Sequence, residues 1–154
     1  MLRCWPVLLP LLTVACGLPR DPEKTTDRLA STHELRVGVT DNRGWVDASP
    51  AEPSGVEPDL VRRFAQRIGA KVIWAKGSEA SLAQQLEHHE LDLAIGGFDA
   101  KTPWKSVAGV SQPFAKTADK KKHVFLTAPG ENQFILTLDR FLTEQMRVPK
   151  ESSS

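Results

Sequence analysis

The chain has 154 residues, which suits one ordinary domain and leaves little room for two. Hydrophobic residues make up 40% and charged residues 25%, enough for a packed core and against wholesale disorder. The formal net charge is +1, which argues against the concentrated basic face of a nucleic-acid binder. Both cysteines, Cys4 and Cys16, lie near the N-terminus. Beyond them the chain has no thiol for a disulfide framework, a cysteine-zinc cluster or a cysteine nucleophile.

One base, Arg3, precedes an apolar run from Trp5 to Ala15. A membrane-spanning helix needs about 20 residues, so this run is too short, and Pro6 and Pro10 interrupt it. It reads as a secretory signal over residues 1–16. Leu12-Thr-Val-Ala-Cys16 resembles a bacterial lipobox, in which the cysteine is lipidated and becomes the new N-terminus. Cys16 is therefore the expected lipidation site, with a cleaved soluble form as the alternative. Residues 17–33 are polar, contain Pro19 and Pro22, and read as a tether.

The body, residues 34–147, alternates strand and helix. Leu35–Val39 alternates apolar and polar residues as a strand does. A loop runs from Thr40 to Gly55. Pro58 suits the first turn of a helix whose face is Leu60, Val61, Phe64, Ala65 and Ile68, and Gly69 ends it. Lys71–Ala75 is a second strand, and Ser78 caps a helix reaching about His89. Leu91–Ile95 is a third strand, closed by Gly96-Gly97. A turn over 99–105 leads to a short strand at 107–110, and a fifth strand covers 123–127. Asn132 caps a last helix with a stripe of Phe134, Ile135, Leu138, Phe141 and Leu142; residues 148–154 are expected to be disordered. This order predicts a three-layer α/β sandwich around a mainly parallel five-stranded sheet. Ligands of such sheets bind beyond the carboxyl ends of the strands.

Four segments carry a family resemblance: Leu35-Arg-Val-Gly-Val-Thr40, Gly55-Val-Glu-Pro-Asp-Leu60, Leu91-Asp-Leu-Ala-Ile-Gly-Gly97 and Ser111-Gln-Pro-Phe114. In order and spacing they are similar to the first lobe of the extracytoplasmic solute-binding proteins of ABC transporters, amino-acid-binding type (family 3). Lys122–Asn132 and the final helix resemble the C-terminal segment of some members. The resemblance implies one lobe of a type II periplasmic-binding-protein fold. Such proteins have two lobes that trap a solute by hinge closure. Here the chain passes from Phe114 to His123 in eight residues, so the second lobe is missing.

The resemblance also implies the ligand-binding candidates: Asn42 and Trp45 on the loop after the first strand, and Gly97, Phe98 and Asp99 after the third. Trp45 has a ring that would stack on a planar or cationic ligand, or pack over the sheet edge. Gly97 would let a backbone N–H approach a ligand. Trp104 stands where amino-acid-binding members carry an arginine that clamps the solute's carboxylate, so a standard α-amino acid is not the expected ligand. Trp104 is read either as a ligand contact or as a packing residue. Lys116, Lys120, Lys121, Lys122 and His123 form a small basic cluster, read as a solvated loop or a contact for lipid headgroups or an acidic partner. The adjacent His88 and His89 would point about 100° apart on a helix and could not chelate a metal together.

No spacing of Ser, His and Asp supports catalysis, and no metal or cofactor pattern is present. The expectation is a lipid-anchored or secreted binder at the periplasm or cell surface that captures a small polar solute for an ABC permease. A homodimer or a second-lobe partner would supply the missing wall. The alternative is a repurposed single lobe acting as a protein-interaction module at the membrane surface.

Overall fold

The computed structural model describes residues 24–147; the expected signal segment with Cys16 and the expected 148–154 tail lie outside the described residues. The first strand of the main sheet is β1 (Glu34–Val39). Leu35, Val37 and Val39 enter one core, whereas a side chain at Gly38 would strike Leu82 and Leu91 on the other face. A crossover through α2 (Val56–Arg67) leads to β2 (Lys71–Lys76), and a second through α3 (Glu79–Glu87) leads to β3 (Leu93–Ile95). Both β2 and β3 run parallel to β1. A 3-10 turn at Pro103–Ser106 precedes β4 (Gly109–Val110). With β7 (Leu126–Thr127) the sheet order is β2-β1-β3-β7-β4, and β7 runs antiparallel to both its neighbours. The expected mainly parallel, five-stranded sheet is therefore present, with one reversed strand.

The fifth predicted strand, 123–127, is two strands in the structure. Its first residue belongs to β6 (Lys122–His123), which pairs with β5 (Ala115–Lys116) in a separate antiparallel ribbon. The turn between them, Thr117 to Lys121, closes on hydrogen bonds from Thr117 N–H to Lys121 O (3.0 Å) and from Lys120 N–H to Thr117 O (2.9 Å). The eight residues that are too few for a lobe thus seal the chain as a hairpin.

Helices cover both faces. On one, α2 and α4 (Asn132–Arg147) meet through Phe64, whose ring lies 5.9 Å from Phe134 and 5.4 Å from Phe141. On the other, α3 presses Leu82 and Leu86 against Leu91, Ala94 and Leu126. These are the expected apolar faces. The predicted Ser78 cap is also made, with Ser81 N–H donating to its hydroxyl at 3.2 Å.

The proposed tether needs correction. Residues Thr25–Thr32 form helix α1 and are docked. Its sequence is mostly polar, so no apolar stripe announced it. Tertiary contacts hold it instead. Leu29 joins the core, Thr25 N–H donates to the buried Glu131 carboxylate at 3.2 Å, and Arg28 Nη2 lies 2.6 Å from Asp92 Oδ2.

Candidate functional site

The chain leaves β1 in one direction along the sheet and returns to β3 on its other side, so a crevice opens where their carboxyl ends meet. The loop after β1 folds tightly: Trp45 N–H and Val46 N–H donate to Asn42 O at 2.9 and 2.8 Å. Asn42 Nδ2 donates to Gly96 O at 3.0 Å and ties this loop to the one after β3. Gly97 has φ +69°, and a Cβ there would come within 2.5 Å of Asn42 Nδ2, so only glycine lets the two loops meet.

Beneath the loops sits Glu57, fully buried in the first turn of α2. Its Oε2 accepts Gly96 N–H at 2.8 Å and Gly97 N–H at 3.0 Å. Its Oε1 is buried without a hydrogen-bond partner. Burial pushes the carboxyl up to about 7, against the two N–H groups that pull it down. The Gly97 N–H expected to reach a solute is therefore turned inward.

Trp45 stacks on His123, with ring centroids 3.7 Å apart and planes 22° from parallel, and meets Phe114 edge-on at 6.2 Å. His123 is 4% exposed and its Nδ1 has no hydrogen-bond partner. Burial lowers its pKa, while Asp99 and Asp119 oppose that shift.

Trp45 and His123 line an open cavity of about 420 Å³. Three of the six candidates meet there: Asn42, Trp45 and Gly97. Arg43, His123 and the β5–β6 turn join them. The other three candidates lie elsewhere. Phe98 is 3% exposed and packs with α3's core. Asp99 holds two loops together: its Oδ1 accepts Lys101 N–H at 2.8 Å and its Oδ2 accepts Lys122 N–H at 3.1 Å. Those backbone donors, Lys101 first, hold its carboxyl below the usual range. Trp104 packs beside the same core, and its Nε1–H donates to Glu79 Oε2 at 3.2 Å. This is the packing alternative. Sequence reasoning missed Glu57, His123 and the turn as parts of the site. Glu57 lies within the quoted Gly55–Leu60 segment, but a helix start explained it there. A wider apolar groove of about 780 Å³ lies next to Trp45 and Phe114, between α2 and α4.

This α/β/α sandwich, with its crevice at the strand switch point, is the lobe architecture of periplasmic binding proteins. The chain belongs to the bacterial extracellular solute-binding proteins, family 3, whose model matches residues 35–151. It is 30% identical over 94 residues to the membrane-bound lytic murein transglycosylase F of Vibrio cholerae serotype O1, covering 60% of this chain and 18% of that protein. The Vibrio campbellii transglycosylase F is 28% identical over 90 residues, covering 58% and 17%. The chain thus spans less than a fifth of the length of these curated relatives. Among solved structures, the arginine-bound form of domain 1 from TmArgBP superposes with a TM-score of 0.69 at 18% identity, covering 77% of this chain and 98% of that one. An ancestral cationic amino acid solute-binding protein gives 0.70 at 11% identity, covering 79% and 93%. These likenesses establish the fold, and the match to a lone domain 1 agrees with the single-lobe reading.

Proposed function

We propose that the protein captures a small polar solute outside the cytoplasm and presents it to an ABC importer. The observation that carries this reading is the convergence of Asn42, Trp45 and Gly97 on one open cavity at the switch point of the sheet. The related domain 1 from TmArgBP, arginine-bound without a second lobe, supports capture by one lobe. The role is binding without catalysis. Lipidation of Cys16 would keep the protein at a membrane surface, and a second copy of the chain would close the cavity.

A second reading, a protein-interaction module, is favoured by the apolar groove beside Trp45, where Val56 and Met146 are 51% and 50% exposed. Thermal unfolding of the full chain, with and without amino acids, opines, polyamines and small carboxylates, separates the two. Capture predicts a cooperative melt raised by one solute class, and loss of that rise in Trp45→Ala. A cooperative melt that no solute shifts overturns capture and favours the interaction module.

A further inference from the structure

Resting on that reading, we infer that the ligand is a small organic anion bearing a carboxylate, and that the Thr117–Lys121 turn is the second wall of its cavity. The turn stands where the missing lobe would begin. It brings Thr117 and Lys121 to the same cavity as Arg43 and Trp45, with His123 stacked on Trp45. One lobe thereby lines the cavity from two segments, the loop after β1 and its own sealed hairpin. At about 420 Å³ the space suits a small molecule.

The charges in that space favour an anion. Arg43 is exposed and makes no ion pair among the described residues. Lys121 is 64% exposed and keeps free donors. The acid among the lining residues, Asp119, is engaged within the turn. Its Oδ1 accepts the Thr117 hydroxyl and Lys121 N–H, and its Oδ2 lies 3.5 Å from Lys121 Nζ. Lys116, Lys120 and Lys122 flank it, all exposed. A guanidinium or an ammonium entering here would meet two cations against one carboxylate, Asp119, that is already shared with the turn.

The other donors point the same way. Glu57 consumes the Gly96 and Gly97 N–H groups, so the glycine loop cannot anchor a carboxylate. Trp104 supplies no charge and packs away from the cavity. Arg43, from the loop after β1, and Lys121, from the turn, take over that task. His123 adds a flat, mostly buried surface with an unpartnered Nδ1.

Isothermal titration of the full chain with L-glutamate, succinate, inorganic phosphate and L-arginine tests this. The carboxylates should bind, L-arginine should not, and added sodium chloride should weaken the binding. Phosphate binding as tightly as succinate would overturn the assignment to carboxylates. Arg43→Ala and Lys121→Ala should each weaken succinate binding by about threefold to tenfold. Lys105→Ala, an exposed lysine that does not line the cavity, should leave it unchanged. L-arginine binding in place of the anions would overturn this proposal and leave solute capture standing. Equal succinate binding in Arg43→Ala, Lys121→Ala and the parent would remove the turn as a wall. Failure of both carboxylates would overturn this inference, and the melt with the wider solute panel then decides whether capture stands.

Discussion

Two fully buried carboxylates sit at opposite ends of β3, and the chain treats them differently. Asp92, just before the strand, is surrounded by positive charge. Arg36 reaches it with Nη2 at 2.7 Å and Nε at 3.3 Å, and its backbone N–H donates at 2.8 Å. Arg28 adds an ion pair from α1, close but not aligned for a hydrogen bond. Glu57, below the loop after the strand, has only two backbone N–H groups and one unpartnered oxygen. The end without the crevice is locked by paired charge, whereas the end with it rests on an acid that titrates near neutrality. An uncompensated buried carboxylate is costly, so its placement under the candidate site is the more informative of the two.

The sharpest way to break this comparison is at Asp92. Asp92→Asn leaves Arg28 and Arg36 without their counter-charge and should cost about 3 kcal/mol, read from chemical denaturation. It should also release α1, seen as faster amide exchange over residues 25–32. A loss well under 1 kcal/mol would mean that the paired end is not a lock.

Glu57 gives the next effect. Its folded pKa, about 7, lies above the ordinary 4.5, so its stabilising contribution is complete below pH 4.5 and disappears as pH rises through 7. The gap converts to roughly 3 kcal/mol as an upper figure. Glu57→Gln keeps an acceptor for Gly96 and Gly97 N–H and removes the titration. The variant should match the parent or fall slightly below it in acid, and become the more stable of the two at pH 8. Parallel stability-versus-pH curves for the two proteins would contradict the burial argument.

The smallest effect is expected on the surface. Arg67 and Glu144 join α2 to α4 at 2.5 Å, but both are about half exposed. Water and salt screen such a pair, so Arg67→Ala should leave the melting temperature unchanged within error. A clear drop would show that the helices depend on more than the Phe64–Phe134–Phe141 packing.

Much of this architecture was legible beforehand. The alternation in β1 and the stripes of α2 and α4 follow from local periodicity, which survives any tertiary context that buries the apolar face. The family resemblance picked out Asn42, Trp45 and Gly97, and the structure brings those three to one cavity beyond the carboxyl ends of β1 and β3. Helix α1 was not legible, since one buried leucine and long-range polar contacts hold it. The burial of Phe98 and the packing of Trp104 beside α3 were not legible for a related reason: position in a loop does not say which way a ring turns.

By itself the sequence determined the alternation of strand and helix from β1 to β3, the final helix, and the apolar faces that stack them. Those properties depend on neighbours a few residues apart. Only the tertiary structure decided that the eight residues before His123 close into a hairpin, that His123 lies flat on Trp45, and that Glu57 holds the glycine loop from 39 and 40 positions away. Such contacts depend on where distant segments come to rest, and no local pattern of residues encodes that.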